Sequence, residues 1–249
     1  MSDRRSFLEA MFSLAAVSVA AGEGCAKPKP VQPIAPEPVP LHVKPLTDLV
    51  AAAGLSWIVV ARPAELRRAA TFKSALAQLI PDENLAALGG YLGFDPRMID
   101  NAVVAGSGDS MLTLLDVVHD AKVVEKKFVE RITSTVERAD DGRGLIRLSG
   151  LIGTRRRALA LLEPTALAWE SGPSGPLRAT CAFALGKLKK AKPALMAEPL
   201  LTLSKKLGDA PLIVMAPAPT RDQWSGAHGL LEHATAVGLL PRPGPKGWP

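Results

Sequence analysis

The sequence predicts an α+β fold: a mainly antiparallel sheet with helices packed on one face, and the further expectation of a duplicated unit. Three observations lead there. Apolar runs of strand length alternate with stretches whose apolar residues recur every three or four positions, the two periods that separate strand from helix. Strand-like segments between Ile146 and Ser171 follow one another so closely that only antiparallel pairing can join them, because parallel neighbours need a long crossover. Finally, "LSWIVVARP" (Leu55–Pro63) resembles "APLIVMAPAP" (Ala210–Pro219), each with helix-like flanks, which suits two copies of a helix–strand–helix unit.

Residues 46–240 form the folded body. "LSWIVVA" (Leu55–Ala61) is a first strand, closed by Arg62-Pro63. Pro63 suits the first position of a helix, and Leu66, Ala69, Phe72, Leu76 and Leu79 give that helix one apolar stripe. Pro81 breaks it, and Asp82 caps a second helix through about Leu92. After the turn at Asp95-Pro96, "MIDNAVVAG" (Met98–Gly106) is a strand, "GSGDS" (Gly106–Ser110) a hairpin turn, and "MLTLLDVVH" (Met111–His119) the return. Val124, Phe128 and Ile132 mark the next helix.

Asp140-Asp141-Gly142 turns into a half-buried strand with Ile146, Leu148 and Ile152 on one face and Arg147 and Ser149 on the other. Gly153-Thr154 leads into "RRALALL" (Arg156–Leu162), and Glu163-Pro164 into "ALAWES" (Ala166–Ser171). Beyond the Gly172–Pro176 loop comes a helical stretch through Lys190, then one carrying Leu195, Leu200, Leu203 and Leu207, ended by Gly208. "APLIVMAPAP" is a strand, Trp224 to Leu240 a last helix, and residues 241–249 a disordered tail. On this reading the second copy lacks closing strands. That leaves a sheet edge open near Leu212–Met215, where an open edge invites another chain.

Composition is that of a globular protein: 249 residues, 47% hydrophobic and 22% charged, with a core of aliphatic residues because aromatics are only 4%. The net charge of +6 suits an anionic partner such as a lipid headgroup or cell-wall polymer. Nucleic acid is not expected, since the aromatic interleaving that stacks on bases is missing.

The first 24 residues read as an export signal: a basic start, an apolar run from Ala10 to Ala21 that is shorter than a membrane span, and small residues at its end. Arg4, Arg5, Phe7 and Leu8 resemble the R-R-x-F-L core of twin-arginine signals, with Glu9 where that pattern favours Lys. Gly24-Cys25 resembles the lipobox of exported bacterial lipoproteins, with Gly22 where Leu is usual and Glu23 where a small residue is usual. The resemblance implies lipidation of Cys25, which becomes the mature N-terminus, and anchoring to a membrane facing the periplasm or cell surface. Cutting after Ala21 by the ordinary signal peptidase is the alternative and would release a soluble periplasmic protein. Residues 25–45 contain Pro28, Pro30, Pro33, Pro36, Pro38, Pro40 and Pro45, the composition of an extended linker.

No chemistry is marked in the body. His42, His119, His228 and His233 show no H-E-x-x-H zinc pattern, and His228 with Glu232 lacks a third ligand, so no metal and no cofactor are expected. His119-Asp120 reads as a turn pair rather than a general base, since no nucleophile accompanies it. Neither "AGSGDSM" nor "RLSGLIG" holds a nucleophile elbow. Cys181, among small apolar neighbours, reads as a buried free thiol. Arg155, Arg156 and Arg157 at a hairpin are the candidate contact to an anionic surface. The sequence thus points to a cell-envelope lipoprotein with a non-enzymatic interaction or structural role, contacting an anionic envelope polymer or a protein. The alternatives are a soluble ligand-binding module with a pocket against the sheet and, third, a hydrolase with a dispersed site.

Overall fold

Two-residue turns and short connections dictate the architecture, because they force sequential strands to lie side by side and antiparallel. The strands are β1 (Trp57–Ala61), β2 (Asn101–Ser107), β3 (Ser110–Asp116), β4 (Glu137–Gly142), β5 (Leu145–Ile152), β6 (Arg155–Glu163), β7 (Ala166–Ser171), β8 (Leu212–Pro217) and β9 (Ala236–Leu239). They form one sheet in the order β4-β5-β6-β7-β3-β2-β1-β8-β9, antiparallel at every pairing. The computed structural model describes residues 40–173, 175–217 and 234–240, all inside one compact unit, Pro38–Pro249. The fold class is the expected one: α+β, with an antiparallel sheet carrying packed helices.

The helices are α1 (Pro63–Arg68), α2 (Ala70–Leu79), α3 (Asp82–Leu92), α4 (Ala121–Val129), α5 (Pro176–Ala184) and α6 (Leu200–Leu207). On one face of the sheet, α5 and α6 bury Leu177, Cys181, Ala184 and Leu200 against Ile58, Val103, Leu112, Leu114, Ala160 and Ala168. On the other face α4 buries Val124 and Phe128 against Leu148, Leu159, Leu161 and Leu167. Each strand serves both cores because successive side chains point to opposite faces. In β6 and β7 the division is largely by size, with Leu162 the exception on the first face. Ala158, Ala160, Ala166 and Ala168 face α5, whereas Leu159, Leu161, Leu167 and Trp169 face α4.

Local signals explain most elements. Asp120 caps α4 with its carboxylate, accepting from the amides of Lys122 (2.8 Å) and Val123 (3.4 Å). The ring of Phe128 meets Trp169 edge-on at 6.0 Å. The Arg131 guanidinium, just past α4, lies 4.1 Å from the Tyr91 ring and 4.8 Å from that of Trp169, tying α3 to the sheet. Gly208 ends α6 with φ 68°, as expected.

Several expectations are corrected. The helix from Pro63 is two helices, because Ala69 adopts an extended backbone (φ −70°, ψ 118°) that turns the chain between α1 and α2. Pro81 occupies the cap position of α3, and Asp82 is already helical. The helical stretch after Pro176 ends at Ala184 rather than Lys190. Asp140-Asp141-Gly142 is not a turn but the end of strand β4, and Ser149, expected on a solvated face, is buried. Ala236–Leu239, placed in a last helix, is strand β9; Trp224–His233 and residues 241–249 lie outside the described residues. β8 is paired by β1 over Leu212–Met215 and by β9 over Val214–Pro217, so Val214 and Met215 are paired on both sides and β9, not β8, is the edge strand. The two similar strands that suggested a repeat are direct neighbours in the sheet.

Candidate functional site

The small residues of β6 and β7 make room, and α5 takes only part of it. Thr180 Oγ1 donates to the Leu49 carbonyl at 2.9 Å, which pins α5 to the turn at Leu46–Leu49, over β6, β7 and β3. Beside the helix, above β4, β5 and β6, opens a cavity of about 880 Å³. Its floor follows one cross-strand row, Glu137↔Ser149↔Ala158↔Glu170, set by the register of β4, β5, β6 and β7. The methyl of Ala158 and the hydroxyl of Ser149 leave the middle low, with a carboxylate at each end. Leu177, Cys181, Ala182 and Leu185 form an apolar wall along α5.

The polar groups are held in place by one another. Ser149 Oγ donates to Glu137 Oε2 at 2.9 Å, and Arg147 Nη2 donates to Asp141 Oδ1 at 3.2 Å. Arg143, at the β4–β5 turn with φ 57° between two glycines of positive φ, reaches the Leu185 carbonyl at 3.4 Å and ties this turn to the end of α5. Glu170 is 6% exposed. Burial pushes its carboxyl up from the ordinary range, opposed by hydrogen bonds from the Leu177 and Gly175 amides at the start of α5 and by the charges of Arg156 and Arg147. One of its oxygens, Oε1, has no hydrogen-bond partner among the described residues. The Cys181 thiol is free and buried, and burial pushes it up to about 12, which removes it as a nucleophile near neutral pH.

Strand alternation splits the arginine triplet. Arg156 lines the cavity, while Arg155 and Arg157 lie in register with Ile152 and Gly150 and point to the opposite face. They are therefore not one patch. Arg178 of α5 and Lys187 complete the cavity's basic rim. His119 places Nδ1 3.0 Å from the Val117 carbonyl oxygen, its buried Nε2 has no hydrogen-bond partner among the described residues, and Asp120 caps α4. His42 lies 3.6 Å from Asp48, and His228, Glu232 and His233 are outside the described residues. So are Arg4, Arg5, Phe7, Leu8 and Cys25. Among the described residues no group of three or more His, Cys, Asp or Glu side chains is placed to hold a metal ion, and no helix is long and apolar enough to cross a membrane.

Sequence reasoning missed Glu137, Ser149, Glu170 and Arg178. The available signal was the Ala/Leu alternation of "ALALL" and "ALAWE", which announces a sheet with one roomy face and ends it on a buried-side glutamate.

No protein-family model matches the chain, and no curated protein matches it. Crystal structures of TP0453 align with it in space. Crystal form III does so at 8% identity over 80% of this chain and 71% of that one, with a TM-score of 0.44. For form IV the figures are 5% identity, 70% and 65%, and 0.45. For form I they are 8%, 75% and 64%, and 0.42; in forms IV and I the alignment spans less than two thirds of TP0453.

Proposed function

We propose that this is an exported protein, tethered to the cell envelope through lipidated Cys25, whose domain works by binding a ligand in the cavity beside α5 rather than by catalysis. The observation that carries the reading is the cavity itself. It is a concave space of about 880 Å³ with an apolar wall and a few convergent polar groups, the usual form of a small-molecule site. The export signal supports the location, and the prolines between Cys25 and residue 40 supply a spacer, while Leu41 and Val43 already pack on the domain. The basic rim supports an anionic ligand or a segment of an anionic envelope polymer as partner. Binding without chemistry is supported by the state of the polar groups. Ser149 and Arg147 are committed to Glu137 and Asp141, and the Cys181 thiol is protonated.

The test is native mass spectrometry of the protein isolated from its own membranes. A bound small molecule, absent from an Ala158→Trp variant of unchanged fold, supports the cavity as the binding site. Absence of any bound mass, or a bound mass that the indole does not displace, overturns it, and turnover of the released molecule overturns the non-catalytic part. Cys25→Ala moves the protein from the membrane to the soluble fraction if the tether is correct. A mature chain starting at Gly22 without lipid removes the tether.

A further inference from the structure

Resting on that binding reading, the geometry points to one ligand class: a polyhydroxylated organic anion, that is, a sugar acid or sugar phosphate, free or as a unit of an acidic glycan. The floor and the rim of the cavity ask for different groups. At the floor, Glu137 and Glu170 stand at the two ends of one cross-strand row, three strand spacings apart, or about 14 Å between backbones. An ionised carboxylate only accepts hydrogen bonds. Glu137 receives one from Ser149 through Oε2, and Glu170 keeps an oxygen without a partner while being 6% exposed. Glu137 calls for donors, and Glu170, whose burial favours its protonated form, calls for a partner that both accepts and donates; hydroxyl groups spaced along an elongated ligand do both.

At the rim the demand is reversed. The cations with a structural task each have a carboxylate: Arg147 has Asp141, and Arg138 has Glu125 on α4. Arg156, Arg178 and Lys187 are in no ion pair among the described residues; Arg156 only reaches the Pro173 carbonyl at 3.5 Å. A carboxylate or phosphate on the ligand matches these three, and Arg offers it a bidentate fork. The apolar wall of Leu177, Ala182 and Leu185 suits the C–H face of a sugar ring. A bare inorganic anion would satisfy the rim but face the Glu137 carboxylate with like charge and leave Glu170 without a hydroxyl. A neutral sugar would satisfy the floor and leave the rim unmatched.

Calorimetric titration of the full chain tests this with six probes: glucuronate, glucose 6-phosphate and tetragalacturonate against glucose, inorganic phosphate and tricarballylate, the last bearing carboxylates without hydroxyls. The expected result is that at least one of the first three binds tenfold or more tighter than all of the second three. A preference for tetragalacturonate over glucuronate identifies a glycan as the source, and the reverse a free sugar acid. Arg156→Ala with Arg178→Ala lowers that affinity tenfold or more at unchanged Tm, Lys187→Ala lowers it less, and Glu137→Gln narrows the margin over tricarballylate. Equal binding of phosphate, tricarballylate or glucose overturns the inference, as does silence from all six probes or indifference to the double arginine change. If the isolated protein still carries a bound mass that Ala158→Trp removes, such a failure falls on the ligand class and not on the cavity.

Discussion

The two faces of the β5–β7 region are built from the same strands and do opposite things. Toward α4 the strands present Leu148, Leu159, Leu161, Leu167 and Trp169, and Phe128 fills what remains. Toward α5 they present Ser149, Ala158, Ala160, Ala168 and Glu170, and a cavity remains beside the helix. A pleated strand lets one sequence write two surfaces at once, because neighbouring residues never share a face. Large side chains fill the α4 side, and small ones leave space beside α5. The lesson is that a site can be made by what a strand withholds.

The comparison is broken most severely by Phe128→Ala, which removes a fully buried ring from the packed face; the expected cost is about 3–5 kcal/mol in chemical denaturation. A loss below 1 kcal/mol would mean that the α4 face is not a close-packed core. On the opposite face, Ala168→Leu puts a larger side chain directly under α5, where no exposure remains, and overpacking costs about 1–3 kcal/mol. Ala158→Leu, one strand over and beside the cavity, grows into open space, so its stability changes by less than about 1 kcal/mol while ligand binding is lost. Equal costs at the two alanines would erase the distinction between helix-covered and cavity-facing floor.

Glu170 sharpens the comparison through pH. Burial raises its folded carboxyl above the unfolded value, so the fold favours the protonated form. That contribution is complete below the ordinary glutamate pKa and is lost as pH rises through the folded value. Glu170→Gln, which cannot ionise, should therefore gain melting temperature over the parent at neutral pH and lose that gain in acid. A gain that is the same at both pH values would remove ionisation as its cause. The smallest effect is a silence: Cys181, with its thiol at about 12, should resist a thiol reagent at pH 8 in the native protein and react once unfolded.

How much of this was readable beforehand depends on the range of the interactions that decide each element. The β2–β3 hairpin was legible because Gly108 and Asp109 make its turn within two residues of the strands they join. α4 was legible because Val124 and Phe128 state its buried stripe locally. β4 was not, since an edge strand that buries nothing needs no apolar pattern, and "ERADDG" gains its ladder from β5 alone. β9 was hidden because its four residues are defined by their partner β8 rather than by their own period. The cavity was least legible of all. Glu137 and Glu170 are brought into one row by three successive registers, and α5 is then laid beside them by a hydrogen bond from Thr180 to Leu49, far away in the chain.

The charged edge strand has a further consequence, for solubility. A sheet that ends in unsatisfied amides and carbonyls is a template on which identical molecules can stack into fibres. Here the terminal strand β4 carries Glu137, Arg138, Asp140 and Asp141, and its register shifts between Asp140 and Gly142. A second copy stacking on it would have to bury four charged side chains beside a kinked ladder. The strand that looks least like a strand thus guards one end of this sheet against indefinite growth.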